Sequence, residues 1–450
     1  MHTNTLNLTE GPIFTKVVRY SLPLLGMFVL QLLFNAVDML VVGRFASSTA
    51  LAAVGATTNL YHLLVNLLVG TSVGVSVVAA NYFGAGNIRK LNETIHTSML
   101  FALIAGVVFG IICFFLAEPL LRMMNTPQEV IDKSSLYIKI CFAGLPFMQV
   151  YNFGSAILRA VGDTWRPMLY LIVAGVANIF LNLFFVVVLK HDVDGVATAT
   201  VISNAISSIL VWQAIPKTGS GIRLEFKELR INPAILKNVL VIGVAAGIQG
   251  ACFSFSNVII QSSINSFGAM AVAGCTAALI LEGIAYAGSY SYQQTAISFV
   301  GQNYGARKRD RIIRSFWWCM LLGTLIPGFM GLVFYSFGRP LLGIFIPESE
   351  VIEFGMQRVR IVMLTYALIG PLDTLSGALR GLGRSVINTC IMLVGVCGIR
   401  LIWIFFVFPH HRTITFLFGS YPVSWAITCI PMAIYLYVIV KRLDAPQGRI

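Results

Sequence analysis

Twelve apolar runs, separated by short polar or Gly/Pro-containing breaks, restrict this chain to helices that cross a lipid bilayer. Most of the runs reach the roughly 20 apolar residues that a membrane-spanning helix needs. Hydrophobic residues make up 57% of the chain and charged residues only 11%, whereas a soluble domain carries about 25% charged residues. We therefore predict an all-α, polytopic membrane protein with twelve transmembrane helices. The predicted spans lie near residues 17–43, 51–82, 97–117, 135–158, 167–189, 195–215, 236–263, 270–301, 315–337, 360–381, 386–408 and 421–441.

The basic residues indicate how the chain is oriented in the membrane. An even number of spans places both termini on one side, and most of the 31 Lys and Arg residues fall in loops on that side. Because cytoplasmic loops carry an excess of Lys and Arg, we expect both termini in the cytoplasm and a multi-pass protein of the plasma membrane. The positive residues punctuate the apolar runs and form no single basic face. The net charge of +13 therefore does not indicate a nucleic-acid partner.

The two halves of the chain are copies of each other. NFGSAILRAVGDT (152–164) aligns with DTLSGALRGLGRS (373–385), and EPLLRMMNTPQEVI (118–131) aligns with RPLLGIFIPESEVI (339–352), each 221 residues further along. Six spans per copy return the chain to its starting side, so the repeats are parallel and resemble the two halves of many transporters. The pattern predicts two pseudo-symmetric six-helix bundles. The predicted division is an N-lobe at 1–215, a cytoplasmic linker at 216–235, interpreted as a tether, and a C-lobe at 236–450.

The first span carries an acid at membrane depth, Asp38. Gln31, Asn35 and Asp38 follow one another at i, i+4 and i+7, so they share one helix face. A carboxylate at the bilayer centre costs about 2.5–3.5 kcal/mol even on the gentlest insertion scale, and such residues usually mark an ion or proton path. We favour a coupling-ion site over a hydrogen-bonded structural acid. Pro23 weakens the hydrogen-bond ladder of the same helix and is a candidate hinge, or a static kink.

The second copy lacks an acid at the place of Asp38. Upstream, ALAAVGAT (50–57) matches AMAVAGCT (269–276) at an offset of 219, which implies two extra residues between the copies. This alignment makes Asn257 the counterpart of Asp38 and predicts that the two lobes have different functions.

The second copy has intramembrane charges of its own. We expect Glu282 and Asp373 either to bind a cationic substrate or to pair with Arg400 as a structural ion pair, and both alternatives stay open. Aromatic, Met and amide side chains suit flat organic cations as well as helix packing. The further substrate-binding candidates are Tyr286, Met27, Asn257 and Gln261.

Several motifs, taken in order, resemble one transporter family. They are Pro23 and Asp38 within P-x14-D, the FGAGN and QNYGA turns (83–87, 302–306), LRAVGD and LRGLG (158–163, 379–383) and GVATAT (195–200). Their joint order on a duplicated twelve-span chain resembles the MATE (multidrug and toxic compound extrusion) family, closest to its bacterial drug-efflux and DinF-like branches. The resemblance implies an antiporter that exports cationic or amphipathic small molecules in exchange for H⁺ or Na⁺ by alternating access. We expect a monomer with no cofactor beyond the coupling ion.

The resemblance also implies where the coupling ion binds. It joins the acid of the first span to Asn178 and Asn182 on the fifth span and Thr200 on the sixth. Oxygen atoms of these residues suit Na⁺ as well as a proton, so the coupling ion stays open. The family's sodium-coupled members carry a glutamate in span seven, and Phe253 stands at that place here. We therefore do not expect a C-lobe sodium site of that design.

Two other classes of function are alternatives to an exporter. A flippase for lipid-linked saccharides, from the wider MOP superfamily, should line its cavity with several Arg or Lys residues for the pyrophosphate. A membrane enzyme or receptor is disfavoured, because the sequence has no Ser/His/Asp order, HExxH or phosphate-binding GKS motif. We predict no enzymatic activity, no catalytic residues and no resident metal.

Overall fold

The computed structural model describes residues 5–45, 47–124, 126–219 and 221–443. Within these ranges the chain forms helices and no strand, which confirms the all-α prediction. The outermost residues of the two predicted lobes, 1–4 and 444–450, and linker residue 220 lie outside the described residues.

Seven α-helices form the described part of the first copy. They are α1 (Ile13–Phe45), α2 (Ser48–Gly84), α3 (Ile88–Met123), α4 (Gln128–Ala143), α5 (Leu145–Ala160), α6 (Trp165–Leu183) and α7 (Val193–Ala214). A π-helical turn at Phe184–Val188 extends α6 towards the loop before α7.

The second copy repeats this order with more interruptions. Its helices are α8 (Pro233–Asn265), α9 (Ala269–Gly305), α10 (Arg309–Ser336), the short α11 (Gly338–Gly343), α12 (Ser349–Leu364), α13 (Ile369–Gly381), α14 (Ser385–Met392), α15 (Ile399–Ile402) and α16 (Ile414–Arg442). Two π-helical turns, Leu393–Gly398 and Trp403–Val407, join α14 and α15 into one continuous span that ends at His410.

The described part of the chain provides up to twelve spans, when each bent pair of helices is counted as one. Within the described ranges, ten helical segments are long and apolar enough to cross a bilayer by themselves. α4 and α5 form an eleventh span bent by 45°, and Ser349–Leu364 with Tyr366–Gly381 forms a twelfth bent by 40°. The sequence placed the starts of these two spans near 135 and 360, later than observed, because their first turns are polar and outside the apolar runs.

The bounds of the helices repeat the sequence duplication. α3 and α10 begin at Ile88 and Arg309, 221 residues apart, as α4 and α12 do. α2 and α9 both have 37 residues and also begin 221 apart, so the 219-residue alignment with two extra residues between the copies is wrong there. Runs rich in Ala and Gly match in several alignments, which explains the error. α1 and α8 both have 33 residues and begin 220 apart, so Asn257 lies one residue from the counterpart of Asp38.

Residue contacts divide the chain into two compact units that exchange parts of α1 and α8. Unit 1 holds the described residues up to Asn7 together with Gly26–Gly247, and unit 2 holds Leu8–Leu25 and the chain from Ile248 onwards. Each unit therefore contains the first part of the other copy's opening helix. The predicted lobes at 1–215 and 236–450 divide the sequence by its repeat and stay a prediction.

Paired glycines let the first part of α8 pack closely in unit 1. Gly70 and Gly74 on α2 are spaced as G-x-x-x-G, and so are Gly243 and Gly247 on α8. A Cβ at Gly70 would overlap the backbone of Gly247, and one at Gly74 would lie 2.9 Å from the Gly243 nitrogen. Small residues at such spacing allow membrane helices to approach backbone to backbone.

The first part of α1 is fastened inside unit 2 by side-chain hydrogen bonds. The Tyr20 hydroxyl donates to Ser298 Oγ at 2.6 Å. Just before the helix, the Leu8 backbone N–H donates to Gln302 Oε1 at 3.2 Å. Arg311 on α10 donates to the carbonyl oxygens of residues 8, 10 and 11.

The linker between the two copies is docked on α3 of unit 1. The buried His96 accepts a hydrogen bond at Nε2 from the Glu225 backbone N–H at 3.1 Å. One turn earlier, Asn92 donates to the Gly221 carbonyl oxygen at 3.0 Å. These contacts hold the linker along α3. The linker is therefore a docked segment, whereas the sequence indicated only a tether between the lobes.

Candidate ion-coupling site

A chain of side-chain hydrogen bonds connects α1, α6 and α7 inside unit 1. Asn182 Nδ2 donates to Asp38 Oδ1 at 2.6 Å and to Asn178 Oδ1 at 3.1 Å. Asn178 Nδ2 in turn donates to Ser203 Oγ at 3.2 Å. Asn178 and Asn182 are buried, whereas Asp38 is partly exposed. The i, i+4 spacing of the two asparagines places both amides on the face of α6 that meets α1 and α7.

The other residues predicted for this site lie near it without joining the chain of hydrogen bonds. The Thr200 hydroxyl donates to the Val196 carbonyl oxygen of its own helix at 3.0 Å. Gln31 and Asn35 are exposed on α1. Pro23 lies within α1, three residues before the helix passes into unit 1 at Gly26. Met27 is the second α1 residue in unit 1 and is buried.

Two residues of α4 belong to the surroundings of Asp38 and were missed in the sequence. Tyr137 and Cys141 lie one turn apart on α4, and both are within electrostatic range of Asp38. A tyrosine and a cysteine inside an apolar run carry no signal that separates them from packing residues.

A polar cluster anchors the chain just after α1. Lys133 Nζ donates to Asp192 Oδ2 at 2.5 Å and to Thr49 Oγ1 at 2.7 Å, and Ser47 Oγ donates to Asp192 Oδ2 at 3.0 Å. Partial burial raises the pKa of Asp192, but the hydrogen bonds from Lys133 and Ser47 outweigh it and hold the pKa below its usual value. The cluster therefore fixes the end of the helix that carries Asp38.

The acids of the second copy do not pair with Arg400. Arg358 on α12 binds Glu282 on α9 with two hydrogen bonds, from Nε to Oε1 at 2.5 Å and from Nη2 to Oε2 at 2.8 Å. Asp373 accepts from Ser289 Oγ at 2.7 Å and from Gln293 Nε2 at 2.9 Å. The proposed pairing of either acid with Arg400 is therefore wrong, because packing brings other donors closer.

The remaining substrate-binding candidates do not meet at one place. Tyr286 is 38% exposed and stacks on Tyr290 with ring centroids 5.8 Å apart. Asn257 is exposed on α8, and Gln261 one turn later donates to Asn265 Oδ1 at 3.0 Å. Their part in substrate binding stays a prediction.

A helical protein with twelve spans, two copies of one bundle and an intramembrane acid bonded to a neighbouring helix is a membrane transporter by class. The MatE family model matches residues 23–184 and again 245–407, once in each copy. The chain therefore belongs to the MATE family of multidrug efflux transporters, as the sequence motifs predicted.

Curated relatives are similar over nearly the full length. The chain is 27% identical over 447 residues to "Probable multidrug resistance protein YoeA" of Bacillus subtilis, covering 97% of this chain and 96% of that protein. It is 18% identical over 443 residues to the multidrug export protein MepA of Staphylococcus aureus, covering 98% and 97%.

Solved structures share the fold. A point mutant of a MATE protein superposes with a TM-score of 0.90 at 20% identity, covering 99% of this chain and 100% of that chain. An outward-facing multidrug resistance transporter of the MATE family gives the same TM-score, identity and coverage.

Proposed function

We propose that this protein is a secondary antiporter that exports cationic or amphipathic drug-like molecules in exchange for an entering ion, and that Asp38 carries the coupling ion. The hydrogen bond from buried Asn182 to Asp38 is the observation that supports this role most directly. It ties the one acid of α1 to α6, and the bonds from Asn182 to Asn178 and from Asn178 to Ser203 continue the chain to α7. A change in the charge of Asp38 therefore changes contacts on three helices at once.

We propose H⁺, in preference to Na⁺, as the coupling ion. Asn182 turns its N–H donors, and not its oxygen, towards Asp38. Na⁺ needs several oxygen ligands, whereas an N–H donor occupies a carboxylate oxygen that a cation would otherwise bind. The hydroxyl of Thr200, which the Na⁺ alternative needs, is directed to its own helix.

Asn182 supplies a way for proton binding to change the structure. Its Oδ1 atom is buried and has no hydrogen-bond partner within the described part of the chain. Protonated Asp38 is a donor and needs an acceptor, which Asn182 Oδ1 provides if the amide turns over. That turn removes the donor that now binds Asn178. Proton binding would thus reorganise the contacts of α6 with both α1 and α7, which is the two-state behaviour that alternating access requires.

The positive-inside pattern supports a multi-pass protein of the plasma membrane with both termini in the cytoplasm. We propose in addition that the protein is a monomer. A flippase for lipid-linked saccharides is the weaker alternative. It calls for several basic side chains free to bind pyrophosphate. The described part of unit 2 has three buried arginines, Arg358, Arg380 and Arg400. Arg358 is bound by Glu282, and Arg380 donates to Gln249 Oε1 at 2.9 Å, so these two are already engaged by protein groups.

The coupling role is tested first by Asp38→Asn in cells that lack other drug exporters. We expect normal membrane expression and loss of efflux of a fluorescent organic cation, because the amide cannot exchange a proton. Asn257→Ala, on the matching helix of the second copy, is the control and should keep most of the efflux. Full efflux by Asp38→Asn would refute the coupling role.

The coupling ion is tested in proteoliposomes with a pH gradient and a Na⁺ gradient imposed separately. We expect the pH gradient alone to drive uptake of the cation. We also expect addition of the substrate to release protons from the lumen of vesicles that contain the wild type, but not from vesicles that contain Asp38→Asn. Transport driven by a Na⁺ gradient at equal pH on both sides would show that Na⁺, and not H⁺, is the coupling ion.

A further inference from the structure

Unit 2 contains a buried guanidinium at the place that a site amide occupies in unit 1. In unit 1, Asn178 Nδ2 donates to Ser203 Oγ at 3.2 Å. In unit 2, Arg400 Nε donates to Ser424 Oγ at 3.3 Å. Ser203 and Ser424 are 221 residues apart, the same interval that separates the starts of α7 and α16. The two serines are therefore equivalent, and so are the groups that bind them.

A π-helical turn explains why an arginine reaches this place. The residue 221 positions after Asn178 is Ile399, and Arg400 follows it. The turn Leu393–Gly398 precedes both in the second copy, whereas α6 is regular up to Leu183. A π turn closes its hydrogen bonds to i+5 and so takes up one extra residue, which shifts every later side chain by one position around the axis. Arg400 thereby faces Ser424 in place of Ile399.

The neighbours of Arg400 are also counterparts of the ion site. Its guanidinium lies over the ring of Tyr421, 3.9 Å from the centroid, and Tyr421 is 221 residues after Thr200. Arg358 stands 221 residues after Tyr137, the α4 residue close to Asp38. The position that holds the Asn178 amide in unit 1 thus holds the Arg400 guanidinium in unit 2.

The charge of Arg400 is not balanced by a protein group in contact with it. Arg400 is 7% exposed, and its two terminal nitrogens form no hydrogen bond or ion pair with any described residue. Glu282 is within electrostatic range, but both of its oxygens are bound by Arg358. An uncompensated cation at membrane depth is costly, and such residues generally serve binding or transport.

We propose that Arg400 is an anion-binding subsite, which takes the carboxylate of an amphiphilic organic substrate. Guanidinium nitrogens bind carboxylates in a planar, two-pronged geometry, and Arg400 keeps both terminal nitrogens available for it. Aromatic rings adjoin the subsite. Tyr421 and Tyr366 both pack edge to face on Trp425, with ring centroids 5.7 Å and 5.8 Å from that of Trp425. The substrate class is therefore a flat zwitterion or organic anion, in addition to cations. This inference rests on the proposed export function only in treating the bound molecule as a substrate.

The test compares two dyes that share one xanthene body. Rhodamine 110 carries a free carboxylate, and rhodamine 123 is its methyl ester and a plain cation. Binding is measured at equilibrium, by fluorescence polarisation, with the full-length protein in nanodiscs of phosphatidylcholine. We expect Arg400→Gln to weaken rhodamine 110 binding by about tenfold or more, the loss of one charge-assisted interaction, and to change rhodamine 123 binding less than about twofold. An equal effect on both dyes, or none on either, overturns the subsite.

Three further measurements keep the proposal falsifiable if Arg400→Gln does not fold. Arg400→Lys keeps the charge and should retain part of the preference for the acid. With the wild type alone, benzoate should displace rhodamine 110 and benzamide should not; equal displacement contradicts the proposal. Repeating the wild-type titration with phosphatidylglycerol in the nanodiscs tests the lipid phosphate as occupant. Loss of rhodamine 110 binding there would assign Arg400 to lipid and overturn its substrate role.

The outcome is independent of the coupling role of Asp38, because binding is measured without an ion gradient. If Arg400→Gln binds both dyes normally while Asp38→Asn abolishes efflux, only the anion subsite fails. If rhodamine 110 binding depends on Arg400 while Asp38→Asn exports normally, only the proposed coupling fails.

Discussion

Single side chains of the ion site differ in their contacts although the sequence grouped them together. Asn182 contacts Asp38 and Asn178, and so belongs to the chain of hydrogen bonds between helices. Thr200 donates its hydroxyl proton to the Val196 carbonyl oxygen of its own helix. Residues that the sequence assigns to the same site therefore have different roles in the structure.

This difference predicts unequal effects of two substitutions. Asn182→Ala removes the donor that contacts the Asp38 carboxylate, and we expect proton-driven export to fall by about tenfold or more, since a hydrogen bond to a charged group is worth about 1.5–3 kcal/mol. Thr200→Val keeps the shape of the side chain and should change export less than about twofold. Uptake of a fluorescent cation into everted vesicles, normalised to protein, measures both. A loss with Thr200→Val as large as that with Asn182→Ala would place Thr200 in the site.

At the scale of elements, the equivalent turns after α5 and α13 have different surroundings. Gly162 and Gly383 lie 221 residues apart and both have positive φ, +93° and +74°. A Cβ at Gly162 would overlap the Leu6 carbonyl, whereas one at Gly383 would meet no atom within 4 Å. Only the first turn therefore supports the N-terminal segment of the chain.

The two turns form a matched pair for mutation. Ala at either position adopts a left-handed conformation at a cost of about 1–2 kcal/mol. Gly162→Ala must also displace Leu6, so we expect a melting temperature several degrees below that of Gly383→Ala. Thermal stability in detergent, followed by fluorescence-detected size exclusion, provides the measurement. Equal melting temperatures would show that the contact with Leu6 does not stabilise the fold.

At the scale of the whole molecule, the sequence repeat and the compact units do not coincide. Unit 2 includes Leu8–Leu25 from the first copy, and Tyr20 and Leu8 make hydrogen bonds there with Ser298 and Gln302. A fragment of the second copy by itself lacks these partners. The two copies are therefore interdependent folding units.

This exchange makes a prediction for split proteins. We expect fragment 236–450 expressed alone to be degraded or to aggregate, because the groups that bind Leu8–Leu25 are left without partners. Co-expression with fragment 1–235 should restore a monodisperse complex. A stable, monodisperse fragment 236–450 on its own would contradict the exchange. A co-expressed 1–235 fragment with Tyr20→Ala and Leu8→Pro tests whether the contacts themselves are required.

Most of the architecture could be predicted from the sequence, because bilayer thickness sets the length of an apolar span and each span leaves its own apolar run. The repeat was visible because motifs such as LRAVGD and LRGLG kept one spacing. Asp38 stood out because a carboxylate is rare at membrane depth, and Asn178 and Asn182 followed from the resemblance and their i, i+4 spacing.

Only the tertiary structure decided which partners the charges have. Glu282 is bound by Arg358, 76 residues away, because α9 packs against α12, and no local pattern encodes that contact. The passage of α1 from one unit to the other leaves no break in its apolar run, since a continuous helix can contact two bundles along its length. The sequence determines which segments enter the membrane, because transfer from water is a property of each segment. The contacts between segments depend on packing among all the segments, so only the tertiary structure could identify these contacts.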